Sequence, residues 1–582
     1  EPITLESKEA FHLLNHSGAH LMASAILNLF PETKFAIGPA IEEGFYYDMD
    51  LGRNITDEDL KAIEKEMNKV ISANPTFIRE NISKEKALEV FKDNKFKTEI
   101  INELEDGTIT LYHLGKFTDL CSGPHVESAV KLRNFKLLSF SSAYWRGDQK
   151  RETLQRIYGV IQSSKEKLEE HLKMLEDAKN RDHRKLGKEM DIFFTHPLIG
   201  AGLPLWLPAG ATLKRLLERY IQDKEIALGY DHVYTPVLAT TSLYKTSGHW
   251  DHYKDNMFPI MKMDNEELVL RPMNCPHHML VYKNSLHSYK DLPIKIGELA
   301  HDFRYEASGA LLGIERVRAM CQNDAHLFVR ADQIEEEFSN VVKLILDVYK
   351  DMNITKYSFR LSLRDPKDTE KYFPDDNMWN KAEDKLRQVL NDLKIPYEEA
   401  IGEAAFYGPK LDVQIRTALN HELTLSTCQL DFLLPERFDL TYIDPKGEKA
   451  RPVVLHRAIL GTTERFTAYL LEETKGVLPT WLSPLQVVVL PVNNEYHLEY
   501  AKLVNGLLKD NNIRAKVDFR DEKLGYKIRE HQMAKVPFTL VIGDKELNEK
   551  SVTYRVRGSR EEINVPIKNF IKLLEEEIKS KR

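Results

Sequence analysis

Polar side chains of several chemical types are concentrated in the segment 295–329. Two runs of alternating apolar and polar residues flank a glycine-containing loop, a pattern that predicts an antiparallel β-hairpin with a long connection. Strand side chains alternate between the two faces of a sheet, so each strand places three polar residues on one face. The first strand presents Glu298, Asp302 and Arg304, and the second presents Gln322, Asp324 and His326. Burying unpaired polar groups costs on the order of several kcal/mol, so this surface indicates a site, with a solvated sheet face as the alternative.

A second group of polar residues lies near the N-terminus. His16 and His20 are one helical turn apart in an apolar-periodic segment, and Cys121 and His125 flank a Ser-Gly-Pro turn. Two such pairs can form a four-ligand metal site. They can equally hold a water and a substrate hydroxyl by hydrogen bonds without a metal, or be unrelated surface residues. The spacing leaves these three alternatives open.

Length and composition restrict the class of protein. The chain has 582 residues, too many for one hydrophobic core, and its 42% hydrophobic and 30% charged residues are typical of a soluble globular protein. No apolar run reaches the length of about 20 residues that a transmembrane helix needs, so no membrane partner is expected. The four cysteines are far apart in the sequence, which argues against a disulfide framework and favours a reducing cytoplasm.

The distribution of charge bears on possible partners. The net charge of −8 argues against a general nucleic-acid coat protein. The segment 483–582 nevertheless contains 19 Lys and Arg residues against 15 Asp and Glu residues. This local excess of positive charge permits a polyanionic partner at the C-terminal end.

The pattern of secondary structure divides the chain into four parts. Residues 1–160 mix helices and strands, which predicts an α+β domain. Residues 161–186 are rich in Lys, Glu and Leu, with leucines at spacings of three and four, which predicts a connecting helix. Residues 187–481 predict an antiparallel sheet with helices outside it and one strand interrupted at Pro236. In residues 482–582 strands alternate with helices, which predicts an α/β domain with a mostly parallel sheet.

Three elements of the central part resemble the signature motifs of the class II aminoacyl-tRNA synthetases. They are the helix and strand that end at Pro236, the hairpin that contains FRYE at 303–306, and the strand and helix that contain Glu464 and Arg465 after Gly461. Other stretches are similar to bacterial threonyl-tRNA synthetases in particular, namely RPMNCPHH, HDFRYEASGALLGIERVR, NDAHLF, FYGPKLD, TCQLDF and LHRAILGTTERF. HSGAH and CSGPH resemble that family's editing domain, and the C-terminal part resembles its anticodon-binding domain. The resemblance covers essentially the whole chain.

The resemblance implies a fold, an activity and a set of partners. The implied fold is a multidomain α+β and α/β protein, with a class II antiparallel sheet core, an α+β editing domain at 1–160 and an α/β anticodon-binding domain at 482–582. The implied activity is that of a threonine–tRNA ligase, which activates threonine with ATP and transfers it to the 3′ end of tRNA(Thr). A homodimer is also implied, because the element that ends at Pro236 is a dimer interface across the class.

By the same resemblance, three arginines act on ATP as catalytic residues. Arginine is permanently charged and can donate paired hydrogen bonds to phosphate, which suits a triphosphate ligand. Arg304 would hold the α-phosphate, Arg316 the γ-phosphate, and Arg465 would close the site from the opposite side, with Mg²⁺ screening the remaining charge. The further ATP-binding residues that the resemblance implies are Glu306, Lys410 and Thr427.

Cys275, His326 and His456 have the composition of a catalytic zinc site, with three protein ligands and an open position. Their wide separation in the sequence carries little information, so one zinc ion per chain is implied by the resemblance. Valine is nearly isosteric with threonine, and an apolar pocket separates such pairs only about a hundredfold. A zinc ion chelated by the amino group and the hydroxyl of threonine would reject valine. The implied threonine pocket consists of Met273, Gln322, Asp324, Tyr407 and Gln429.

Serine also carries the hydroxyl and lacks only a methyl group, a difference worth about 1–3 kcal/mol. A second, hydrolytic site for seryl-tRNA(Thr) is therefore expected. The resemblance assigns it, around an ordered water and without a required metal, to His16, His20, Asp119, Cys121 and His125. For the C-terminal domain the resemblance implies contacts of Glu546 and Arg555 with anticodon bases.

Two features depart from the family's pattern. Bacterial members normally carry a ubiquitin-like domain before the editing domain, whereas this sequence lacks it and begins with Glu-Pro, so a truncated chain is expected. The strand 423–428 lacks a Trp-Gln pair that many relatives have, so only Thr427 and Gln429 are carried over there. Two alternatives are a catalytically silent RNA-binding or regulatory protein, which the intact motif arginines argue against, and a zinc hydrolase built on the N-terminal His/Cys group.

Overall fold

The chain forms two units in its computed structural model, Glu1–Asp177 and Ala178–Arg582. Structure is described for residues 7–148, 150–372, 374–417 and 422–581. Among these residues no helix combines the length and the apolar character that crossing a membrane requires.

The first unit is built from helices and two antiparallel sheets. Its helices are α1 (Lys8–Leu29), α2 (Asp57–Ala73), α3 (Lys84–Val90) and α4 (Lys95–Glu103), and α5 (Lys165–Arg181) runs across its C-terminal boundary. Its strands are β1 (Lys34–Phe35), β2 (Ala40–Ile41), β3 (Gly44–Asp50), β4 (Phe77–Asn81), β5 (Thr110–Leu114), β6 (Phe117–Leu120), β7 (Phe135–Tyr144) and β8 (Thr153–Ile161). One sheet has the order β1-β3-β8-β7 with β2 paired to β3, and the other has the order β4-β5-β6.

Helix α1 is the central helix of the first unit. Ser7 caps its start, because the side chain of Ser7 accepts a hydrogen bond from the backbone N–H three residues on, at 3.2 Å. Leu21 and Met22 of α1 are fully buried in one apolar cluster with Phe45 of β3. This packing fixes the positions of the histidines that α1 carries.

The second unit has more elements and a larger sheet. Its helices are α6 (His183–Glu189), α7 (Pro208–Ala227), α8 (Thr241–Ser247), α9 (His249–Tyr253), α10 (Cys275–Lys283), α11 (Ile334–Asp351), α12 (Asp376–Asp392), α13 (Leu433–Arg437), α14 (Thr463–Thr474), α15 (Asn494–Asp510), α16 (Leu524–Met533), α17 (Asp544–Glu549) and α18 (Ile567–Lys579). Its strands are β9 (Phe193–Phe194), β10 (Leu205–Trp206), β11 (Asp231–His232), β12 (Leu238–Thr240), β13 (Met261–Met263), β14 (Glu266–Leu270), β15 (Ile294–Phe303), β16 (Ala319–Val329), β17 (Tyr357–Leu363), β18 (Tyr397–Ile401), β19 (Lys410–Arg416), β20 (Glu422–Asp431), β21 (Tyr442–Ile443), β22 (Lys449–Ala450), β23 (Val453–Thr462), β24 (Val487–Pro491), β25 (Ala515–Val517), β26 (Phe538–Ile542), β27 (Ser551–Val556) and β28 (Ile563–Pro566).

An eight-stranded sheet organises this unit, with the order β11-β15-β16-β23-β20-β19-β17-β18. Its neighbours are antiparallel except at the two edges, where β11 pairs with β15 and β17 pairs with β18 in parallel. The predicted hairpin is confirmed, since β15 and β16 pair along their length with Glu298 opposite Asp324. Helix α11 packs on one face, where Phe338 and Ile345 are fully buried in the core cluster with Leu327 of β16.

The predicted interruption at Pro236 is also present. Proline has no backbone N–H to donate, so a sheet ladder cannot continue through it. The residues before it form β11 of the large sheet, and the residues after it form β12 of a separate sheet with the order β12-β14-β13.

The connecting helix differs from its prediction in one respect. The segment 161–186 is not one helix, because α5 ends at Arg181 and α6 begins at His183. Asp182 separates them, and its side chain accepts the N–H of Arg184 at 2.7 Å, which caps α6. A carboxylate at this position favours the start of a new helix over continuation of the old one.

The C-terminal sheet is mixed, so the prediction of a mostly parallel sheet is wrong. Its order is β25-β24-β26-β27-β28, in which β24 is parallel to both β25 and β26. The remaining pairs, β26 with β27 and β27 with β28, are antiparallel. The parallel half comes from the β–α alternation that the sequence showed, whereas β27, which follows α17, pairs antiparallel with β26 and forms a hairpin with β28.

Candidate active site and metal centre

Three candidate metal ligands come from three different elements of the second unit. Cys275 is the first residue of α10, His326 lies in β16, and His456 lies in β23. The two histidines are directly opposite each other in the strand register, and their rings meet edge to face with centroids 4.5 Å apart. All three side chains are buried, and one ligand atom from each lies within 4.8 Å of the others. The fold therefore brings together donors that are far apart in the sequence.

Hydrogen bonds to the outer ring nitrogens set the tautomers of both imidazoles. His456 Nε2 lies 2.7 Å from Asp431 Oδ2, so this nitrogen carries the proton and donates it to the carboxylate. His278 Nε2 lies 3.0 Å from Glu298 Oε2 and donates in the same way. His278 Nδ1 is then an acceptor for His326 Nδ1–H, at 2.8 Å. Each of the two histidine candidates thus keeps one unprotonated ring nitrogen, as metal binding requires. It is Nδ1 in His456 and Nε2 in His326.

Glu298 is ionised at neutral pH, which supports the assigned direction of these hydrogen bonds, from His326 to His278 and from His278 to Glu298. Burial by itself would raise the pKa of Glu298, but hydrogen bonds from His278 and Thr235 and the charge of Arg271 lower it to about 2. An ionised carboxylate can only accept hydrogen bonds, so the proton on His278 must face it.

The burial of the three donors fits a metal ion. His326 Nε2 is buried and has no hydrogen-bond partner within the described residues. Burial and the neighbouring His456 lower the pKa of His326 well below its usual value, so the ring is neutral. Burial raises the pKa of Cys275 well above its usual value, and nearby carboxylates raise it further. A cation offsets the cost of a buried thiolate, and one Cys with two neutral His residues is a donor set that zinc prefers.

Carboxyl groups are in excess around this centre. Burial raises the pKa of Asp324 well above its ordinary value, and Asp302 raises it further. Burial also raises the pKa of Asp302 to about 7, although Arg271 and Arg304 lower it. Such a pair of carboxyl groups stabilises any cation that enters the site. The environment therefore suits the predicted contact of Asp324 with the amino group of threonine.

Two other predicted pocket residues lie beside His456. Tyr407 donates a hydrogen bond to Gln429, and its ring stacks on that of His456 with 5.3 Å between centroids. Gln429 is the strand partner of His456 across β20 and β23. Met273 packs against the apolar cluster that includes Cys275. Tyr407 and Gln429 therefore lie next to one ligand candidate, His456, and Met273 lies near another, Cys275.

The remaining predicted residues of this unit lie on adjoining strands and loops. Gln322 is in β16 at an irregularity in its pairing with β23. Thr427 is in β20, and Lys410 at the start of β19 pairs with Asp412 at 2.8 Å. Glu306 follows β15 and is paired with Arg316, so it lies with the arginines described next.

The three predicted arginines lie in one electrostatic neighbourhood. Arg304 follows β15, Arg316 lies on the loop between β15 and β16, and Arg465 lies in the first turn of α14. Arg465 Nε donates to the backbone carbonyl of Glu315 at 3.3 Å, which joins α14 to the loop. Burial lowers the pKa of Arg465, and the positive charges of Arg304 and Arg316 lower it further. Guanidinium groups held together in this way attract a polyanion such as a triphosphate.

In the first unit, the predicted hydrolytic residues converge on one site. His16 and His20 project from α1, while Cys121 and His125 lie just after β6, and their ligand atoms are within 4.8 Å of one another. Cys121 Sγ lies 3.2 Å from His16 Nε2 and 3.3 Å from His125 Nε2. Asp119 Oδ2 lies 3.5 Å from His20 Nε2. This convergence argues against unrelated surface histidines.

The protonation states at this site bear on its chemistry. Burial raises the pKa of Cys121 to about 11, although the N–H of Gly123 lowers it, so the thiol is protonated at pH 7. Burial and the two neighbouring imidazoles lower the pKa of His125 to about 2, so its ring is neutral. A protonated thiol is a poor nucleophile. The arrangement therefore favours positioning of a water by hydrogen bonds, and the same four donors are also close enough to hold a metal ion.

Two residues that the sequence did not indicate complete this site. Lys97 of α4 is buried with 3% of its side chain exposed and forms an ion pair with Asp119. Tyr47 of β3 donates a hydrogen bond to the same carboxylate. The available signal was that Lys97 lies one helical turn before the buried Ile101, on the apolar face of α4. A lysine on such a face is paired when it is buried.

Sequence reasoning also missed residues at the metal centre. His278, in the stretch RPMNCPHH, and Asp431, in the stretch TCQLDF, hold the two imidazoles but were not singled out. Strand alternation offered a signal for Asp431, because it lies two residues after Gln429 and so shares its face of β20. Nothing in the spacing pointed to His278.

The two predicted anticodon residues both have protein partners. Glu546, in α17, accepts the N–H of Gly543 at 2.8 Å and a hydrogen bond from Asn564 at 3.3 Å, and it is largely buried. Arg555, in β27, pairs with Glu562. Contact of either side chain with a base would share or replace these partners.

Three family models match separate parts of the chain. The tRNA synthetase class II core domain (G, H, P, S and T) matches residues 258–474, and the anticodon binding domain matches residues 486–577. The threonyl and alanyl tRNA synthetase second additional domain matches residues 109–158. These matches agree with the predicted fold class and with the presence of an editing domain.

Solved structures resemble part of the chain. The RNA-binding domain of threonyl-tRNA synthetase from Cryptosporidium parvum Iowa II is 36% identical, has a TM-score of 0.64, and aligns over 68% of this chain and 98% of its own. A prolyl-tRNA synthetase of Giardia lamblia, at 18% identity, a TM-score of 0.56 and coverage of 70% of this chain and 79% of its own, shares the fold.

Curated relatives match along the whole sequence. The threonine–tRNA ligase of Geobacillus kaustophilus (strain HTA426) is 57% identical over 583 residues, which cover 100% of this chain and 89% of that protein. The threonine–tRNA ligase of Staphylococcus carnosus (strain TM300) is 57% identical over 584 residues, covering 100% of this chain and 90% of that protein. The chain therefore belongs to the threonyl-tRNA synthetase family of class II aminoacyl-tRNA synthetases.

Proposed function

We propose that the centre of the second unit activates threonine with ATP and selects it with a zinc ion, and that the N-terminal cluster hydrolyses seryl-tRNA(Thr). The enzyme is an ATP-dependent threonine–tRNA ligase by its family. One observation carries the assignment of the centre: two donors of the buried Cys/His/His set lie on the adjoining strands β16 and β23, and the segment that leads into β16 carries Arg304 and Arg316. Arg304 connects the two, because its charge acts on both Asp302 and Tyr407.

The arginines have a direct role in activation. The carboxylate of threonine attacks the α-phosphorus of ATP, and pyrophosphate leaves, so negative charge is redistributed over phosphate oxygens. Guanidinium groups that are already in place stabilise that charge without reorganisation. Arg304 binds the α-phosphate and the attacking carboxylate, while Arg316 and Arg465 hold the outgoing pyrophosphate. Mg²⁺ accompanies the nucleotide, and Glu306, Lys410 and Thr427 complete its contacts.

Threonine selection is assigned to the buried donor set. Cys275, His326 and His456 would hold the zinc ion, which when bound would supply Lewis acidity for the amino group and the side-chain hydroxyl of threonine. Asp324 accepts a hydrogen bond from the amino group, and Tyr407 closes the pocket beside it. Valine lacks the hydroxyl, so it would lose that interaction. Met273, Gln322 and Gln429 form the rest of the pocket.

The N-terminal cluster is assigned to editing. Serine presents the same hydroxyl as threonine, so the first site discriminates against it only by a missing methyl group. His16, His20, Cys121 and His125 are neutral groups that can hold a water and the ribose of the mischarged tRNA. Lys97 and Asp119 supply the charged pair next to them. No metal is needed for this role.

Other parts of the proposal follow from the family. The domains are placed at 1–160 for editing, 161–186 for the linker, 187–481 for catalysis and 482–582 for anticodon binding, where Glu546 and Arg555 contact bases. Two copies of the chain form a homodimer through the element that ends at Pro236. The enzyme works in the cytoplasm on ATP, threonine and tRNA(Thr).

Charging and editing assays with matched variants test the proposal. Arg304→Gln is expected to lower threonylation of tRNA(Thr) at least about a hundredfold while hydrolysis of preformed seryl-tRNA(Thr) continues. His125→Asn is expected to have the opposite pattern. Arg387→Gln, which removes an arginine of α12 that is paired with Glu399, is the control and should change neither rate. Normal threonylation by Arg304→Gln would contradict the assignment.

A further inference from the structure

His183 is a buried histidine with a partner on each ring nitrogen. It is the first residue of α6, and 1% of its side chain is exposed. Its Nδ1 lies 2.7 Å from Glu472 Oε1 on α14, and its Nε2 lies 3.3 Å from the backbone nitrogen of Ile314. A peptide N–H can only donate, so Nε2 is the acceptor and the ring proton is on Nδ1, donated to Glu472. The ring therefore bridges helix α14 and a loop.

The backbone of the loop is shaped to receive this ring. Gly313 has a φ of +48°, in the left-handed region that glycine adopts without strain. A Cβ at this position would lie 2.1 Å from His183 Nε2, so a side chain cannot be accommodated beside the imidazole. On its other side, the His183 ring is stacked near Phe193, with 6.3 Å between centroids. The imidazole is therefore fixed between the loop and the core.

The loop that His183 holds is the loop that carries Arg316. Leu312 and Arg316 exchange two backbone hydrogen bonds of 3.1 Å, which close a tight turn with Ile314 at its tip. Arg465 Nε donates to the carbonyl of Glu315 at 3.3 Å. Two adjacent residues at the tip are thus held. His183 accepts the N–H of Ile314, and Arg465 donates to the carbonyl of Glu315.

Both attachments originate on one helix. Arg465 and Glu472 lie seven residues apart on α14, which is two helical turns, so both point to the same side. Arg465 reaches the loop directly, and Glu472 reaches it through His183. Arg316 itself is 51% exposed at the side chain and pairs with Glu306 at 2.9 Å. Because the backbone turn is held at these two points, it fixes the position from which the Arg316 side chain extends.

We propose that His183 is a positioning residue for ATP binding: by accepting the N–H of Ile314, it holds the turn that presents Arg316 before the nucleotide arrives. The inference rests on the proposed role of Arg316 in binding a phosphate group of ATP. A loop fixed before binding loses less conformational freedom when the ligand binds, so ATP binds more tightly. The proposed threonine pocket contains no residue of the turn, so the affinity for threonine is expected to be independent of His183.

Two amide variants separate the two hydrogen bonds of the ring. In His183→Asn the amide occupies the level of Nδ1, so a donor to Glu472 is kept and the acceptor for Ile314 is lost. In His183→Gln the amide oxygen reaches the level of Nε2 and can still accept that N–H. Leaving a buried N–H unpaired is expected to raise the KM for ATP about tenfold in His183→Asn, and less than about threefold in His183→Gln. The KM for threonine should stay within about twofold in both.

Threonine-dependent ATP–pyrophosphate exchange with both substrates varied is the decisive assay. His287→Asn is the matched control, because His287 also forms a hydrogen bond to the backbone, in its case to the carbonyl of Tyr282, which is not part of the loop. An unchanged KM for ATP in folded His183→Asn, or equal rises for ATP and threonine, would overturn the inference. If His183→Asn does not fold, Glu472→Ala, which removes the acceptor of the ring proton, must show the same ATP-selective rise. Absence of exchange in the unsubstituted enzyme would instead overturn the proposed function.

Discussion

Asp431→Asn is the most informative single substitution at the metal centre, because it changes one atom in the group that orients His456. Asp431 Oδ2 accepts the proton of His456 Nε2 at 2.7 Å, and Asp431 Oδ1 accepts the backbone N–H groups of Leu433 and Leu434 at 2.8 and 3.0 Å. Those two N–H groups can only donate, so the oxygen of an asparagine amide must face them. Its NH₂ group then faces His456 Nε2.

The asparagine NH₂ group and the N–H at His456 Nε2 would then be two donors that face each other. This favours the His456 tautomer that has no proton on Nε2. The ring proton moves to Nδ1, which is the nitrogen that the native tautomer leaves for the metal. Removal of an outer hydrogen-bond partner of a metal-ligating histidine typically costs about 10–100-fold in metal affinity. That factor corresponds to about 1.4–2.8 kcal/mol. The substitution preserves volume and the two hydrogen bonds to the first turn of α13, so the folding stability should change much less than the metal affinity.

The assay is a zinc titration of metal-stripped protein against a chromophoric chelator. The dissociation constant for zinc should rise about 10–100-fold in Asp431→Asn. Asp444→Asn is the matched control, because Asp444 Oδ1 likewise accepts two backbone N–H groups, at 2.8 Å each, in a turn without a histidine. Zinc binding by Asp431→Asn within twofold of the unsubstituted protein would refute the tautomer argument, as would an equal loss in Asp444→Asn.

Three further predictions address the ligand set, the editing site and acid stability. Cys275→Ser is expected to lower bound zinc from about one per chain to below about 0.1, since a serine hydroxyl is a poor zinc ligand. Elemental analysis of the folded variant measures this, and stoichiometric zinc would count against the ligand set. Lys97→Met is expected to slow seryl-tRNA(Thr) hydrolysis at least about tenfold by leaving Asp119 buried without its cation, with threonine-dependent exchange unchanged. An unaffected hydrolysis rate would exclude Lys97 from that site. Burial by itself would raise the pKa of Asp351, but hydrogen bonds from Lys581, Tyr220 and Lys224 lower it from 3.8 to about 2. Asp351 therefore stabilises the fold above about pH 4, and this contribution disappears as the pH falls through about 2. Urea unfolding should show that Asp351→Asn destabilises the protein at pH 7 and much less near pH 2, whereas an equal loss at both pH values would argue against this pKa.

Local patterns allowed the elements around the site to be predicted. Alternation of polar residues gave the β15–β16 hairpin and the face shared by Asp324 and His326. The break between β11 and β12 could be predicted because Pro236 has no backbone N–H. The mixed C-terminal sheet was not anticipated, because the β–α alternation earlier in the domain favoured parallel pairing and β27 and β28 were not recognised as strands. A signal was present, since apolar Val552, Tyr554 and Val556 alternate with polar residues along β27.

Contacts between distant segments could not be obtained from the spacing of residues. The three metal-ligand candidates Cys275, His326 and His456 converge only because β16 and β23 are neighbours in the sheet. The order of strands in a sheet cannot be deduced from residue spacing in a single sequence. Lys97 was overlooked for a related reason, since its burial on α4 depends on pairing with Asp119 of strand β6. The family resemblance identified the three metal-ligand candidates but did not identify Lys97.

The central claim is that a zinc ion held by Cys275, His326 and His456 selects threonine. The most direct test is amino-acid-dependent ATP–pyrophosphate exchange with threonine, valine and serine, accompanied by the zinc content of the same preparation. We expect about one zinc per chain, exchange with threonine, weaker exchange with serine, and none detectable with valine. Threonine-specific exchange from protein that holds no zinc, or exchange with valine comparable to that with threonine, would contradict it.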